Sequence, residues 1–170
     1  MGYVVQKAID TMVSLLEGPG GIQVQLAQMA ETQPEVADAI ADFVIRGFGL
    51  KRGVQADEEF TCIPRIRVQA EKLANQRRLK YLPFSGTCWL LISVDASDDR
   101  QELVAAQLNA ICDAILLVLD NHVGELCGGV YYGGGYELTV QPMDKGSKGY
   151  QQTGLVRLEL AMEEGGHEGS

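Results

Sequence analysis

Thr87-Cys88-Trp89-Leu90-Leu91-Ile92-Ser93-Val94 opens the stretch that decides the fold. Asp95-Ala96-Ser97-Asp98-Asp99 follows as a polar break, and a run from Arg100 to Asp120 comes after it. In the first part Cys88, Leu90, Ile92 and Val94 fall on one face, because side chains alternate along a pleated strand. In the last part Val104, Leu108, Ile111, Ile115, Val118 and Leu119 recur at steps of three and four, the period of one helical stripe. Asp98 or Asp99 can accept from the free amides of the first helical turn and suits the dipole there. A strand feeding an amphipathic helix that folds back on it predicts a two-layer α/β core.

The 170 residues predict a single domain over 1–162 with a flexible acidic tail at 163–170. A chain of this size buries a core without metals or disulfides. Hydrophobic residues at 46% are ordinary for a globule. The net charge of -9 argues against general nucleic-acid binding, which wants a basic surface. No apolar run is expected to reach the roughly 18 to 20 residues that cross a bilayer. Met1-Gly2-Tyr3-Val4-Val5-Gln6-Lys7 reads as neither a signal peptide nor a myristoylation site. Cys62, Cys88, Cys112 and Cys127 form no CxxC pair and read as buried free thiols in a reducing cytoplasm.

Along the chain, Val5, Ile9, Met12, Val13 and Leu16 mark a first helix over 4–17, ended by Gly18-Pro19-Gly20-Gly21. Residues 22–50 are helical in pattern, in two pieces, with Thr32 as cap and Pro34 and Glu35 in the first turn of the second. A polar linker is expected over 51–59. From Ile63 the period changes to two, giving a strand over 63–70, and a polar hairpin loop over 72–83 leads back to the strand at Thr87. A glycine-rich flexible link over 124–135, a strand over 136–141, a turn-rich loop over 142–153 and a last strand over 155–162 complete the chain. The fold class read from this order is α+β. It is a two-layer sandwich whose mainly antiparallel four-stranded sheet is covered on one face by helices, with an extra helical insertion at 22–50.

Candidate chemistry is sparse. Gly128-Gly129-Val130-Tyr131-Tyr132-Gly133-Gly134-Gly135 leaves a helix and enters a strand, the reverse of a phosphate loop, and lacks the Gly-Lys-Ser or Gly-Lys-Thr signature. Tyr131 and Tyr132 read as packing or interface residues. His122 stands at the end of the long helix, where a C-terminal hydrogen bond is welcome. Asp95, Asp98 and Asp99 lack the glycine and closing glutamate of a calcium loop, and capping or turn formation explains them. Trp89 reads as sheet packing. Arg77, Arg78 and Lys80 form the one dense basic cluster, either a solvated hairpin tip or a docking tip for an acidic partner. No catalytic, cofactor-binding or metal residue is assigned, and no cofactor is expected.

This order of elements resembles the tail terminator (tail completion) proteins of long-tailed bacteriophages and their relatives among minor tail and neck proteins. The resemblance is carried by a first helix, by Ile63-Pro64-Arg65-Ile66-Arg67-Val68 and its hairpin, by the Trp89 strand running into Asp98-Asp99 and a helix, and by a glycine-linked strand pair. It covers Pro64 to Met162 plus the first helix, and the segment 22–50 departs from it. It implies a structural, non-enzymatic virion protein of the tail or neck, assembled in the bacterial host cytoplasm. Such a protein forms a homo-oligomeric ring, usually a hexamer, that caps the tail tube and joins it to head–tail connector or neck proteins. No membrane is implied, and DNA would only pass through the ring, whose acidic lumen repels it. The interface residues expected are Arg77, Arg78, Lys80, Tyr131 and Tyr132. Another neck or minor tail protein, or a small ligand-binding module using the Gly/Tyr link as a lid, are the alternative readings.

Overall fold

The computed structural model describes residues 4–46, 49–52, 64–76, 84–146 and 149–164. Helix α1 is Val4–Glu17, α2 Ile22–Thr32, α3 Pro34–Arg46 and α4 Gln101–Asp120. The strands are β1 Gly49–Arg52, β2 Arg65–Asn75, β3 Phe84–Asp98, β4 Gly124–Cys127, β5 Val130–Val140, β6 Asp144–Gly146 and β7 Gly149–Glu164. They form one sheet in the order β1-β2-β3-β7-β5-β4, with β6 also on β7. All pairs are antiparallel except β1 with β2. The class is α+β as expected.

Among the described residues the sheet has seven strands rather than four. The four expected strands are there as β2, β3, β5 and β7, all longer than their apolar alternation indicated. β3 is the clearest case. The polar break at Asp95–Asp99 does not break it: the strand continues to Asp98, paired with β7 down to Tyr150. Backbone hydrogen bonds run on regardless of side-chain polarity when a partner strand lies alongside. Asp98 then turns the chain, its carboxylate accepting from the Arg100 amide at 3.0 Å, and no side chain caps α4. Thr32 does not cap α3 either, since its hydroxyl donates back to the Gln28 carbonyl at 3.2 Å. The polar linker begins as β1, and the first part of the expected loop, Lys72 to Asn75, belongs to β2.

The glycine-rich link is not a connector. Gly128 and Gly129 form the turn between β4 and β5, and the later glycines lie within β5. Gly129 has φ +82, and a Cβ there would sit 2.3 Å from the Glu163 carbonyl oxygen. Only glycine tolerates both the left-handed backbone and that approach.

Ile66, Val68, Cys88, Leu90, Ile92, Val94, Val156, Leu158 and Leu160 point to one face, where α1 and α4 lie. On α4, Val104, Leu108, Ile111, Ile115 and Leu119 are fully buried, each such side chain contributing about 1.5–3 kcal/mol relative to exposure. The helical insertion, α2 with α3, packs against α4 as well. This double burial explains a second departure from expectation. At 20 residues and mean hydropathy 1.8, α4 is long and apolar enough to cross a bilayer, yet 56% of that window is buried inside the protein. It is apolar nearly all round because protein covers two of its sides.

Candidate functional site

The sheet's other face carries the polar members of each strand, and its upper half forms an open groove of about 640 Å³. Thr87 and Trp89 of β3 and Arg157, Glu159 and Ala161 of β7 line the groove, and Tyr131 and Glu137 of β5 stand beside them. The pairing register fixes this set: Trp89 opposes Glu159 and Tyr131 opposes Ala161, so all point outward together. Lys72 Nζ lies 4.7 Å from the centre of the Trp89 ring, a cation–π contact across the two strands. Glu71 and Lys72 both reach this face because the pairing slips between Ala70 and Lys72. Glu71 crosses β3 to meet Arg157 Nε at 3.3 Å. A second slip between Tyr132 and Tyr136 lets Gly133–Gly135 bulge out at the groove's rim.

Lower on the same face, Asp95 is only 2% exposed. Arg67 Nη2 reaches its carboxylate at 3.0 Å and Arg65 Nη2 at 3.3 Å, while the Thr153 hydroxyl donates to it at 2.8 Å. Asp95 is thus not a turn residue but a buried counter-ion clamping β2, β3 and β7. Among the described residues no cluster of His, Cys, Asp and Glu could hold a metal ion.

The third feature is on the helix side. Tyr136, Leu138 and Val140 of β5 oppose Leu158, Val156 and Gly154, whose positions face the core. By register they too should be buried, yet they are 37%, 38% and 42% exposed. The helix layer stops short of them. Cys112 Sγ is the atom nearest to where a Cβ on Gly154 would stand, so α4 lies over β7, and no described helix covers this half of β5. Among the described residues the outer edge of β5 has no partner here, because β4 pairs only with Val130, Tyr131 and Tyr132. Asp113 and Asp120, two turns apart on α4, are exposed, and α4 contains no lysine or arginine. Burial raises the Asp113 carboxyl above its ordinary value. Burial, then Asp120 and Tyr136, push the Tyr132 phenol up to about 12, which sets Asp120 beside this end of β5. The result, among the described residues, is an apolar stripe with two carboxylates on the helix beside it and an unpartnered strand edge.

Of the sequence-derived interface residues, Tyr131 is 37% exposed at the groove, whereas Tyr132 is 2% exposed and donates its hydroxyl to the Gly135 carbonyl at 3.1 Å. Neighbours in a strand point to opposite faces, so the pair is divided between surface and core. Arg77, Arg78 and Lys80 lie outside the described residues. His122 does close the helix end, its Nδ1 donating to the Val118 carbonyl at 2.7 Å. Cys88 and Cys112 are buried as expected, Cys127 is exposed, and Cys62 lies outside the described residues. The stripe itself was not foreseen. Tyr136, Leu138 and Val140 alternate like any core-facing set, and the width of the helix layer leaves no mark in that pattern.

A scan against protein-family models finds no match, and a search of curated proteins finds none. Among solved structures, a chain from "Virion of native gene transfer agent (GTA) particle" is similar over 83% of this chain and 93% of that one. The TM-score is 0.34 and the identity 16%, a likeness too slight to carry an argument about fold or role.

Proposed function

We propose that this chain is a structural virion protein, a tail terminator whose copies form a ring that caps the tail tube and joins it to the head or neck. The observation that supports this reading is the bare half of β5. There, among the described residues, an unpartnered strand edge and an apolar stripe lie side by side. Proteins ordinarily blunt such edges with charge, proline or a covering element, and one left open is suited to meeting another chain. The topological resemblance of 64–162 to tail terminators gives that contact its context. A ring needs a head-to-tail interface, and a free edge on one side of the sheet provides half of one.

Size-exclusion chromatography with light scattering tests the reading. A ring-sized species supports it, and a chain that stays monomeric at every concentration overturns it.

A second reading rests on a different observation. The groove that Trp89, Tyr131 and Arg157 line is large enough for a small planar ligand, and the Gly133–Gly135 bulge stands at its rim. Quenching of Trp89, the only tryptophan, on titration with a metabolite library against a monomeric sample would favour this binding-module role.

A further inference from the structure

The bare stripe needs an occupant, and the chain itself contains one of matching chemistry. Its floor is apolar, through Tyr136, Leu138 and Val140, and α4 beside it carries two exposed carboxylates: Asp113, next to the Cys112 that lies over Gly154 opposite Val140, and Asp120, close to Tyr132. Between Gln76 and Phe84 the sequence reads Arg77-Arg78-Leu79-Lys80-Tyr81-Leu82-Pro83, cations interleaved with large apolar side chains. No other stretch outside the described residues has that character. The segment 53–63 contains Asp57, Glu58 and Glu59 and no lysine or arginine. The segment 165–170 is small and acidic, and 1–3, 47–48 and 147–148 are too short.

The segment 77–83 cannot reach the stripe of its own chain. Its ends are tied down: the Gln76 amide donates to the Ser85 carbonyl at 2.7 Å, and Phe84 pairs with Glu164. Leu138 pairs with Val156, so the two levels are 164 − 156 = 8 residues apart along β7, which is about 26 Å at the usual rise. A segment of this length held at both ends extends no more than about 14 Å from its anchors. The stripe also lies two strands across, on the far side of β7. Any docking between the two is therefore between copies.

We propose that the basic arm 77–83 of one copy docks on the apolar stripe and acidic flank of the next, head to tail. This rests on the ring reading above and specifies its interface. Leu79, Tyr81 and Leu82 of the arm match the apolar floor at Leu138 and its neighbours. Arg77, Arg78 and Lys80 of the arm complement Asp113 and Asp120. Because arm and stripe are different surfaces, the contact is heterologous and propagates from copy to copy until a ring closes.

The test uses full-length chain in two isotopic forms. Equal amounts of light and heavy protein are mixed, treated with a carbodiimide and analysed by mass spectrometry. Links from Lys80 to Asp113 or Asp120 between light and heavy chains are expected, and such links confined to one label would overturn the proposal. Arg77→Glu with Arg78→Glu, and separately Asp113→Lys with Asp120→Lys, should each weaken self-association by roughly tenfold or more while leaving the thermal melt in place. Mixing the two variants should restore assembly, because every arm then meets a stripe of opposite charge. Oligomers that persist unchanged in both variants would refute the docking contact and leave the ring reading standing. A wild-type chain that is monomeric throughout would refute both.

Discussion

The guanidinium of Arg67 meets the carboxylate of Asp95 at 3.0 Å on the face of the sheet away from the helices, where Asp95 is only 2% exposed. A carboxylate removed from water is tolerated only when its partners replace the lost hydration. Arg65, Arg67 and Thr153 do so from the strands on either side. Asp95→Ala should therefore destabilise the fold by about 3 kcal/mol, because two arginines lose their counter-ion as well as a set of hydrogen bonds. Asp95→Asn, which keeps the shape and can still accept from Thr153, should cost less, about 1–2 kcal/mol. Urea denaturation followed through Trp89 measures both, and equal costs for the two variants would contradict the charge argument.

Gly154 and Cys112 make a second close pair. A Cβ at Gly154 would stand 2.8 Å from Cys112 Sγ and 3.6 Å from a Leu108 methyl. Gly154→Ala should cost about 1–3 kcal/mol through overpacking under α4. Cys112→Ala removes the obstructing sulfur, so the double variant should be more stable than the sum of the single losses by about 1 kcal/mol. Additive losses in a double-mutant cycle would show that the helix shifts freely instead.

The same cysteine gives a pH dependence of defined sign. Burial, then Asp113, push the Cys112 thiol from its ordinary 9.0 up to about 12, and burial raises Cys88 in the same direction. Both are neutral in the folded state and hold their protons more tightly there than in the unfolded chain. Their contribution is full below about pH 9 and is lost as pH rises toward 12. Melting temperature should fall across that window, and the fall should be shallower in Cys112→Ala. Alkylation at neutral pH, mapped by peptide mass, should mark exposed Cys127 quickly and leave Cys88 and Cys112 unmodified. Rapid labelling of Cys112 would mean that α4 lifts from the sheet.

These cases also indicate what could be read in advance. The α1 helix, the α2–α3 pair and the inward faces of β2, β3 and β7 were legible because periodic apolar residues and glycine or proline breaks mark them directly. The ends of the strands were not. Asp95, Ser97 and Asp98 read as a turn, and they are strand because β7 supplies hydrogen bonds to them, a tertiary effect that no local pattern carries. The glycines of 128–135 read as slack for the same reason. Tyr136, Leu138 and Val140 carried a correct face assignment and a wrong burial, since alternation says which way a side chain points and not whether anything stands opposite. The exposed stripe of β5 was therefore the part least visible in the sequence.

Gly129 and Gly133 share a glycine-rich stretch and should behave oppositely on substitution. Gly129 has φ +82 at the β4–β5 turn, its carbonyl accepts from the Glu163 amide at 2.8 Å, and a Cβ would meet the Glu163 carbonyl oxygen. Gly129→Ala should cost about 1–3 kcal/mol from left-handed strain and the backbone clash together. Its effect should extend to the α1 contact, because Lys7 Nζ donates to the neighbouring Gly128 carbonyl at 2.8 Å. Gly133 has open space where its Cβ would be, and Gly133→Ala should fall within about 0.5 kcal/mol of the parent. Hydrogen exchange at the β4–β5 hairpin, read beside the two melts, locates the damage: faster exchange there for Gly129→Ala and none for Gly133→Ala. A large loss at Gly133 would show that the bulge at the groove's rim is held by something other than its own backbone.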